Sequence, residues 1–464
     1  TFLLLVSTDL FSQEITKNYS FSNIKEIKLF IGEDDYKDLI RVSLFKQPEF
    51  QYIMSMSNEQ EFNLKLAKRN RFPTIAGNII NDESIERNIS DNNSVRKRRD
   101  DSFDANIEIR QAIYSGGQVS SVIRSAKSKA EALSSEKMKT VSQLILEANQ
   151  IYLDALISNY ILDYAENLMQ FLKPYRSKVA DRVNAGIMDP VESALFYVRY
   201  SSLETLIYKF KSQVEKNNNT YSYFYKQQFN KLEFPSINIK EINFIRNNDS
   251  YDVEISKSKY DEKKAEISTV RSEYLPKFGI SARYTKYDID DDTNEDDIRG
   301  GLYLSVPIFS FGRGAAKINA ARAAASGYKS DINIKIKEDV ITESSLSSDF
   351  RNSLSNRSIF LKSFQETVNQ RKTLQDRIEL SGFAINALTE VLSSEISQLQ
   401  TLLENEAGIM YNYFSILHQN KILNNEFNSP SGFCPNGSKL SLVILSPHIV
   451  GLFLLCYLKY MGYF

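Results

Sequence analysis

Residues 103–132 read FDANIEIRQAIYSGGQVSSVIRSAKSKAEA, and residues 298–327 read IRGGLYLSVPIFSFGRGAAKINAARAAASG. With Gly117 set on Gly312, Ile107 falls on Leu302, Ile109 on Leu304, Ile113 on Ile308 and Tyr114 on Phe309. Further on, Ala126 meets Ala321, Lys127 meets Arg322 and Ala130 meets Ala325, all at one offset of 195. Upstream, Arg71-Phe72-Pro73 matches Tyr274-Leu275-Pro276. Downstream, Gly186-Ile187 and Glu192 match Ala384-Ile385 and Glu390. The repeating unit is about half the chain, too long for a solenoid repeat, and it marks a duplication.

Each copy shows the same order of patterns. A helical segment (about 34–70 and 247–272) precedes two alternating strands (about 72–82 and 103–113; about 276–287 and 298–308). Phe103, Ala105, Ile107 and Ile109 alternate with polar residues, and Ile298, Leu302, Leu304, Val306 and Ile308 share one face. Period-2 alternation over about ten residues means one apolar and one polar face, the pattern of a soluble hairpin or of a transmembrane β-strand. Helical stretches follow, 118–184 and 313–383, each broken for seven residues (Ala185 to Val191; Ala384 to Glu390) before a second helix. In the last helix Leu392, Ile396, Leu399, Leu403, Ala407, Met410, Phe414 and Leu417 step by threes and fours, a coiled-coil seam. The organisation expected is a first repeat over 34–230 with its hairpin at 118–230, a connecting segment 231–246, and a second repeat over 247–427 with its hairpin at 313–425.

Composition narrows the function. The 464 residues carry 57 Lys+Arg against 58 Asp+Glu, which gives no basic field for nucleic acid. A mean hydropathy of −0.35 excludes a polytopic helical membrane protein. Two Cys and two His support neither a disulfide framework nor a metal cluster, and no cofactor is expected. With only 10 Pro and 17 Gly, long uninterrupted elements are expected. Residues 1–12 read as the remnant of a signal peptide. The segment 429–464, which holds Cys434 and Cys456, is an apolar tail compositionally foreign to the rest: a membrane anchor or extraneous sequence.

Strand pairs feeding long helical hairpins, duplicated in one chain, resemble the TolC-like outer-membrane efflux protein family. The resemblance covers about 34–427. It rests on Asp38-Leu39-Ile40 through Gln47-Pro48-Glu49, the strand entries at Pro73 and Pro276, and the turns Ser115-Gly116-Gly117 and Ser310-Phe311-Gly312. Ala185-Gly186-Ile187-Met188-Asp189-Pro190 and Asn386-Ala387-Leu388-Thr389-Glu390-Val391-Leu392 complete it. It implies a mainly α fold with transmembrane β: a homotrimer in which four strands per chain complete a twelve-stranded barrel. The paired hairpins then form an α-helical tunnel across the periplasm. The implied function is the exit duct of a tripartite efflux or type I secretion system, exporting small molecules or proteins passively. Its partners would be outer-membrane lipid, a periplasmic adaptor and an inner-membrane transporter, with no nucleic acid, and its location the outer membrane of a Gram-negative bacterium.

The resemblance also points to residues. Glu192 and Glu390, with Asp189 and Asn386, are candidates for the periplasmic entrance, where a carboxylate ring at a constriction favours cations. Equally, both glutamates could simply stand at helix N-termini, where the macrodipole favours acids. The second turn departs from the family pattern: Ala384 stands where a Gly is usual, Asn386 where some members carry a gating Arg, and Ser393 in place of a second acid. Gly116, Gly117, Gly312 and Gly314 are the strand-to-helix turn residues. Ile107, Ile109, Leu302, Leu304 and Val306 are the lipid-facing candidates.

Other motifs read as decoys. Gly312-Arg313-Gly314 opens a helix after a strand, but neither the third Gly nor a Lys-Ser/Thr follows. Asp288 to Asp297 alternates carboxylates, but Thr293 and Arg299 stand where an EF-hand needs Gly and Glu. This acidic loop and the basic run Arg96–Arg99 read as oppositely charged external loops, and His418 as a packing or surface residue. No Ser/His/Asp, Cys/His or metal constellation supports an enzyme. The alternatives are a periplasmic adaptor, which normally has one hairpin rather than two, and a coiled-coil scaffold, which gives no reason for alternating strands.

Overall fold

The computed structural model of the chain describes residues 24–82, 102–237, 239, 249–289, 295–377 and 382–427. Segment 1–12, Arg96–Arg99, the centre of the acidic loop, much of 231–246 and the 429–464 tail lie outside the described residues.

In chain order the elements are β1 (Phe30–Ile31), α1 (Glu33–Leu44), α2 (Pro48–Arg69), β2 (Thr74–Asp82), β3 (Ser102–Tyr114), α3 (Gln118–Asn184) and α4 (Pro190–Tyr225). The second copy follows as β4 (Phe234–Pro235), α5 (Tyr251–Ser272), β5 (Lys277–Lys286), β6 (Asp296–Ser305), α6 (Arg313–Arg377), α7 (Gly382–Gln419) and α8 (Leu423–Glu426). α3 is 67 residues long, about 100 Å at 1.5 Å per residue, and runs helical through Pro174. The helical segment 34–70 is two helices, because Pro48 lacks an N–H and suits the first position of a new helix. β1 and β4 pair in parallel, Phe30 opposite Phe234, a short junction with no sequence signal of its own.

Beside that junction a tyrosine cluster anchors α3. Tyr36 Oη donates to Asn149 Oδ1 at 2.6 Å, Tyr225 Oη to the Ala148 carbonyl at 2.8 Å, and Tyr152 Oη to the Glu233 carbonyl at 2.8 Å. Elsewhere the core follows the seam of α7: Leu392, Ile396, Leu399, Leu403, Met410, Phe414 and Leu417 are buried, and Ala407 packs against them.

Strands β2, β3, β5 and β6 form one antiparallel sheet in that order. Ile75 lies opposite Ile109, and Phe278 opposite Leu304. The second pair is the first shifted by 203 on one strand and 195 on the other, the same shifts that align the sequences. Duplication therefore extends to backbone pairing. β3 and β5 join the two copies, with Ile109 opposite Ala282 and a bulge that brings Tyr114 opposite Phe278. That irregularity stacks the two rings at 5.7 Å. Val306 and Ile308 fall beyond Ser305, the last residue of β6, since Pro307 has no N–H for a ladder.

Helices follow the same order as strands. α3 packs between α2 and α5, and α5 between α3 and α6. Farther from the sheet, α3 pairs with α4, α6 with α7, and α7 touches both α3 and α4.

Candidate functional site

Two features of the fold carry functional information: one face of the sheet and one end of the hairpins. Paired residues share a face, so Ile75, Ile79, Ile107, Ile109, Phe278, Ile280, Tyr284, Ile298, Leu302 and Leu304 all stand on one side. They are exposed in the single chain, Leu302 at 82% and Leu304 at 69%. The opposite face is polar. Glu108 Oε1 accepts from Arg110 Nε at 2.8 Å and from Arg283 at 3.2 Å, Arg299 pairs with Asp297, and Asn78 donates to Asn106 at 3.2 Å. An exposed apolar sheet face backed by a charged one inverts the arrangement of a soluble sheet, which turns its apolar side to a core.

Where β3 feeds α3, Gly116 adopts φ +64° and Gly117 φ +82°. A Cβ on Gly116 would stand 2.8 Å from Leu275 Cβ and 3.0 Å from the Ser272 carbonyl, so the turn packs directly onto the end of α5. In the second copy Phe311 takes the place of Gly116 at φ +48° and is 91% exposed, while Gly312 has φ +77°. Gly314 is not a turn residue; it lies in the first turn of α6 against the Tyr274 ring.

At the far end of the first hairpin, Ile187 and Met188 N–H both bond the Arg182 carbonyl, closing α3 through Gly186 at φ +69°. Asp189 caps α4, its carboxylate accepting the Val191 N–H at 2.6 Å, with Pro190 as the first helical residue. The break expected over Ala384 to Glu390 in the second copy is not there. α6 ends at Arg377 and α7 starts at Gly382, so Ala384 to Glu390 is helical. Ala384, Ala387 and Leu388 are strong helix formers, and no breaker stands among them.

Asn386 and Glu390 therefore lie on the first turns of α7 and face α4. Asn386 Nδ2 donates to the Glu192 carbonyl at 3.0 Å, and Arg199 Nη1 donates to the Asn386 carbonyl at 2.6 Å. Arg199 Nη2 meets Glu390 Oε2 at 2.9 Å. Glu192, Asn386 and Glu390 are thus brought together, Glu192 through its main chain, while Asp189 serves its own helix. Arg199 was missed by sequence reading. It sits two turns after Glu192 on the same helix face, a spacing that could have found it. Asn386 is buried, and its Oδ1 has no partner among the described residues.

Within the second hairpin the polar contacts are of another kind. The Glu395 side chain is fully buried and bound by Arg371 Nε at 3.1 and 2.8 Å, with the Tyr164 hydroxyl donating to it from α3. Glu406 accepts from Arg357 at 2.6 Å, and burial pushes its carboxyl above the usual range. Ions that deep tolerate no loss of partner, whereas the pair of Arg199 with Glu390, 69% exposed, is cheap to break. α6 and α7 are locked together, and α4 is only latched to α7. Among the described residues no cluster of metal ligands occurs, and no helix is long and apolar enough to cross a membrane.

An exposed apolar sheet stands on duplicated helical hairpins, and this fold is the one found in the solved TolC-like outer-membrane efflux channels. Among solved structures it is similar to the Campylobacter jejuni CmeC outer membrane channel, at TM-score 0.70 and 12% identity over 83% of this chain and 85% of that one. It is similar to the Vibrio cholerae outer membrane protein VceC at TM-score 0.68 and 12% identity, covering 84% and 95%. CusC, described in terms of folding and transmembrane channel formation, aligns at TM-score 0.66 and 13% identity, covering 89% and 95%. No protein-family model and no curated protein matches the chain.

Proposed function

We infer that the chain is one protomer of an outer-membrane efflux channel of a Gram-negative bacterium. The observation that carries this reading is the apolar face of the four-stranded sheet, with Leu302, Leu304 and Ile298 exposed. A sheet with two open edges cannot stand in lipid, because each unpaired N–H and C=O would cost several kcal/mol, of order 2–7. Closure by further copies removes those edges, and in a homotrimer the count is twelve strands, the apolar face outward and the charged face lining a water-filled lumen. The helical hairpins continue the duct into the periplasm. There the latch of Glu192, Arg199, Asn386 and Glu390, with Asp189 beside it, forms the entrance gate.

Transport through such a duct is passive, so drug efflux and type I secretion alike need a periplasmic adaptor and an inner-membrane transporter as partners. A coiled-coil scaffold or a periplasmic adaptor leaves the apolar sheet face without a purpose. The test is membrane fractionation and an unboiled denaturing gel, followed by reconstitution into planar bilayers. An outer-membrane, heat-modifiable oligomer that conducts ions is expected. A soluble, heat-insensitive monomer overturns the reading.

A further inference from the structure

Between α3 and α7 lies a cleft of about 340 Å³, room for roughly eleven waters at about 30 Å³ each. It belongs neither to the sheet face nor to the latch. Asn149 and Leu153, one helical turn apart and both buried, form its base. Gln150 and Asp154, also one turn apart and both exposed, form one wall. The other wall is α7, through Ala407, Gly408 and Tyr411.

The amide of Asn149 is half satisfied. Its Oδ1 accepts from Tyr36 Oη at 2.6 Å, while its Nδ2 is buried with no partner among the described residues. Buried donors are nearly always paired, and leaving one unpaired is costly, so a group that brings an acceptor to this base is favoured. Gln150 makes no hydrogen bond among the described residues, so no bond holds its side chain across the base. α7 keeps its own side open. Gly408 lies inside a long helix, where glycine is less favourable than alanine, and a Cβ there would meet no atom within 4 Å. Charge at the mouth is negative. Dehydration and, after it, the nearby Glu404 carboxylate push the Asp154 carboxyl above the usual range, against the pull of Lys216. A cation placed there relieves both effects, and the half-exposed Tyr411 ring offers it a π face.

We propose that this cleft binds a small organic cation carrying a hydroxyl or carbonyl oxygen, the oxygen accepting from Asn149 Nδ2 and the cation lying beside Asp154 and Tyr411. Asn149 and Asp154 are about 7.5 Å apart along the helix axis, at 1.5 Å per residue, so oxygen and cation stand a few bonds apart in the ligand. An amino alcohol or a hydroxylated quaternary amine has that spacing. An anion would meet Asp154 and Glu404, and a bare metal ion would leave Nδ2 unpaired. The site needs only α3 and α7, so it stands whether or not the sheet closes into a barrel.

Choline is the probe, titrated by isothermal calorimetry into the full-length chain in detergent, and saturable binding is expected. Propyltrimethylammonium, which has a methyl in place of the hydroxyl, should bind at least about fivefold more weakly, the contribution of one hydrogen bond to a buried donor. The neutral analogue of choline, with carbon in place of nitrogen, should bind about two- to fivefold more weakly, and choline should lose the same factor on Asp154→Asn. Gly408→Leu should abolish binding while circular dichroism shows the helices intact, because leucine suits a helix better than glycine. Asp163→Asn, exposed on the same helix but outside the cleft, should change nothing. No saturable heat from choline, equal affinity for either analogue, or undiminished binding to folded Gly408→Leu overturns the assignment and leaves the channel reading standing. Should Gly408→Leu misfold, the two analogues still decide, because they act on the parent chain.

Discussion

Replacing Arg199 with Ala removes two unequal ties between α4 and α7. The ion pair to Glu390 is exposed and contributes about 0–1 kcal/mol. The guanidinium bond to the half-shielded Asn386 carbonyl, at 2.6 Å, contributes about 1.5–3 kcal/mol as a charge-assisted hydrogen bond. About 1.5–4 kcal/mol per chain is therefore lost, and about 4.5–12 kcal/mol if three copies open together. Since about 5.5 kcal/mol shifts a two-state equilibrium by about 10⁴, a gate closed in the parent should stand open in the variant. Single-channel recording in planar bilayers reads this as a larger conductance or a much higher open probability. Glu390→Gln is the calibrating change, because it removes only the exposed pair; three such losses total about 3 kcal/mol at most, roughly a hundredfold. Raising salt to 1 M shortens the screening length to about 3 Å, so the parent should drift toward Glu390→Gln and never reach Arg199→Ala. Equal conductance in Arg199→Ala and Glu390→Gln would refute the division between the two ties. Parental conductance in both would refute the gate.

Other outcomes follow from packing and charge. Gly116→Ala should cost about 1–2 kcal/mol for its positive φ and about 1–3 kcal/mol more for meeting Leu275 and Ser272, whereas Gly117→Ala should cost only the first; thermal melts followed by circular dichroism separate them. Arg371→Met should destabilise by about 3–5 kcal/mol, since Glu395 keeps only the Tyr164 hydroxyl, and adding Glu395→Leu should restore most of the loss in the same melts. His418 is half-buried near Lys139 and Asp252, its Nδ1 2.7 Å from Ser142 Oγ, and its partial burial pushes its pKa down to about 4. The unfolded chain takes up this proton near 6.5 and the folded chain only near 4, so stability is full above pH 6.5 and falls by about 3 kcal/mol as pH drops to 4. His418→Gln should flatten denaturation midpoints across that window.

Much of the architecture was legible because its signals are periodic. The alternation through Ile107 and Ile109 and the seam through Leu392 and Leu417 each repeat over many residues, and the duplication supplied a second reading of both. What escaped depends on chain segments distant in sequence. β1 and β4 are two residues each, too short for any period, and the contact beside them, Tyr152 Oη donating to the Glu233 carbonyl, spans 81 positions. Ala384 to Glu390 matches the Gly186 turn in the duplication but is helical, because nothing in Ala384 to Leu388 breaks a helix. Arg199, Arg371 and Arg357 carry no local sequence signal of their own. Their partners Glu390, Glu395 and Glu406 lie on another helix, and no local pattern announces a pairing across 24 to 191 positions.

The latch between α4 and α7 bears on why two unlike copies share one chain. A ring of identical half-length chains could present the same elements, since the two copies repeat strand for strand and helix for helix. In such a ring every hairpin would carry the same residues, so a guanidinium and its carboxylate would have to share one helix and would face each other at every seam alike. Fusion lets the copies diverge: Arg199 resides on one hairpin, Asn386 and Glu390 on the other. The seam inside the chain is thereby fastened by a pair that neither copy carries alone.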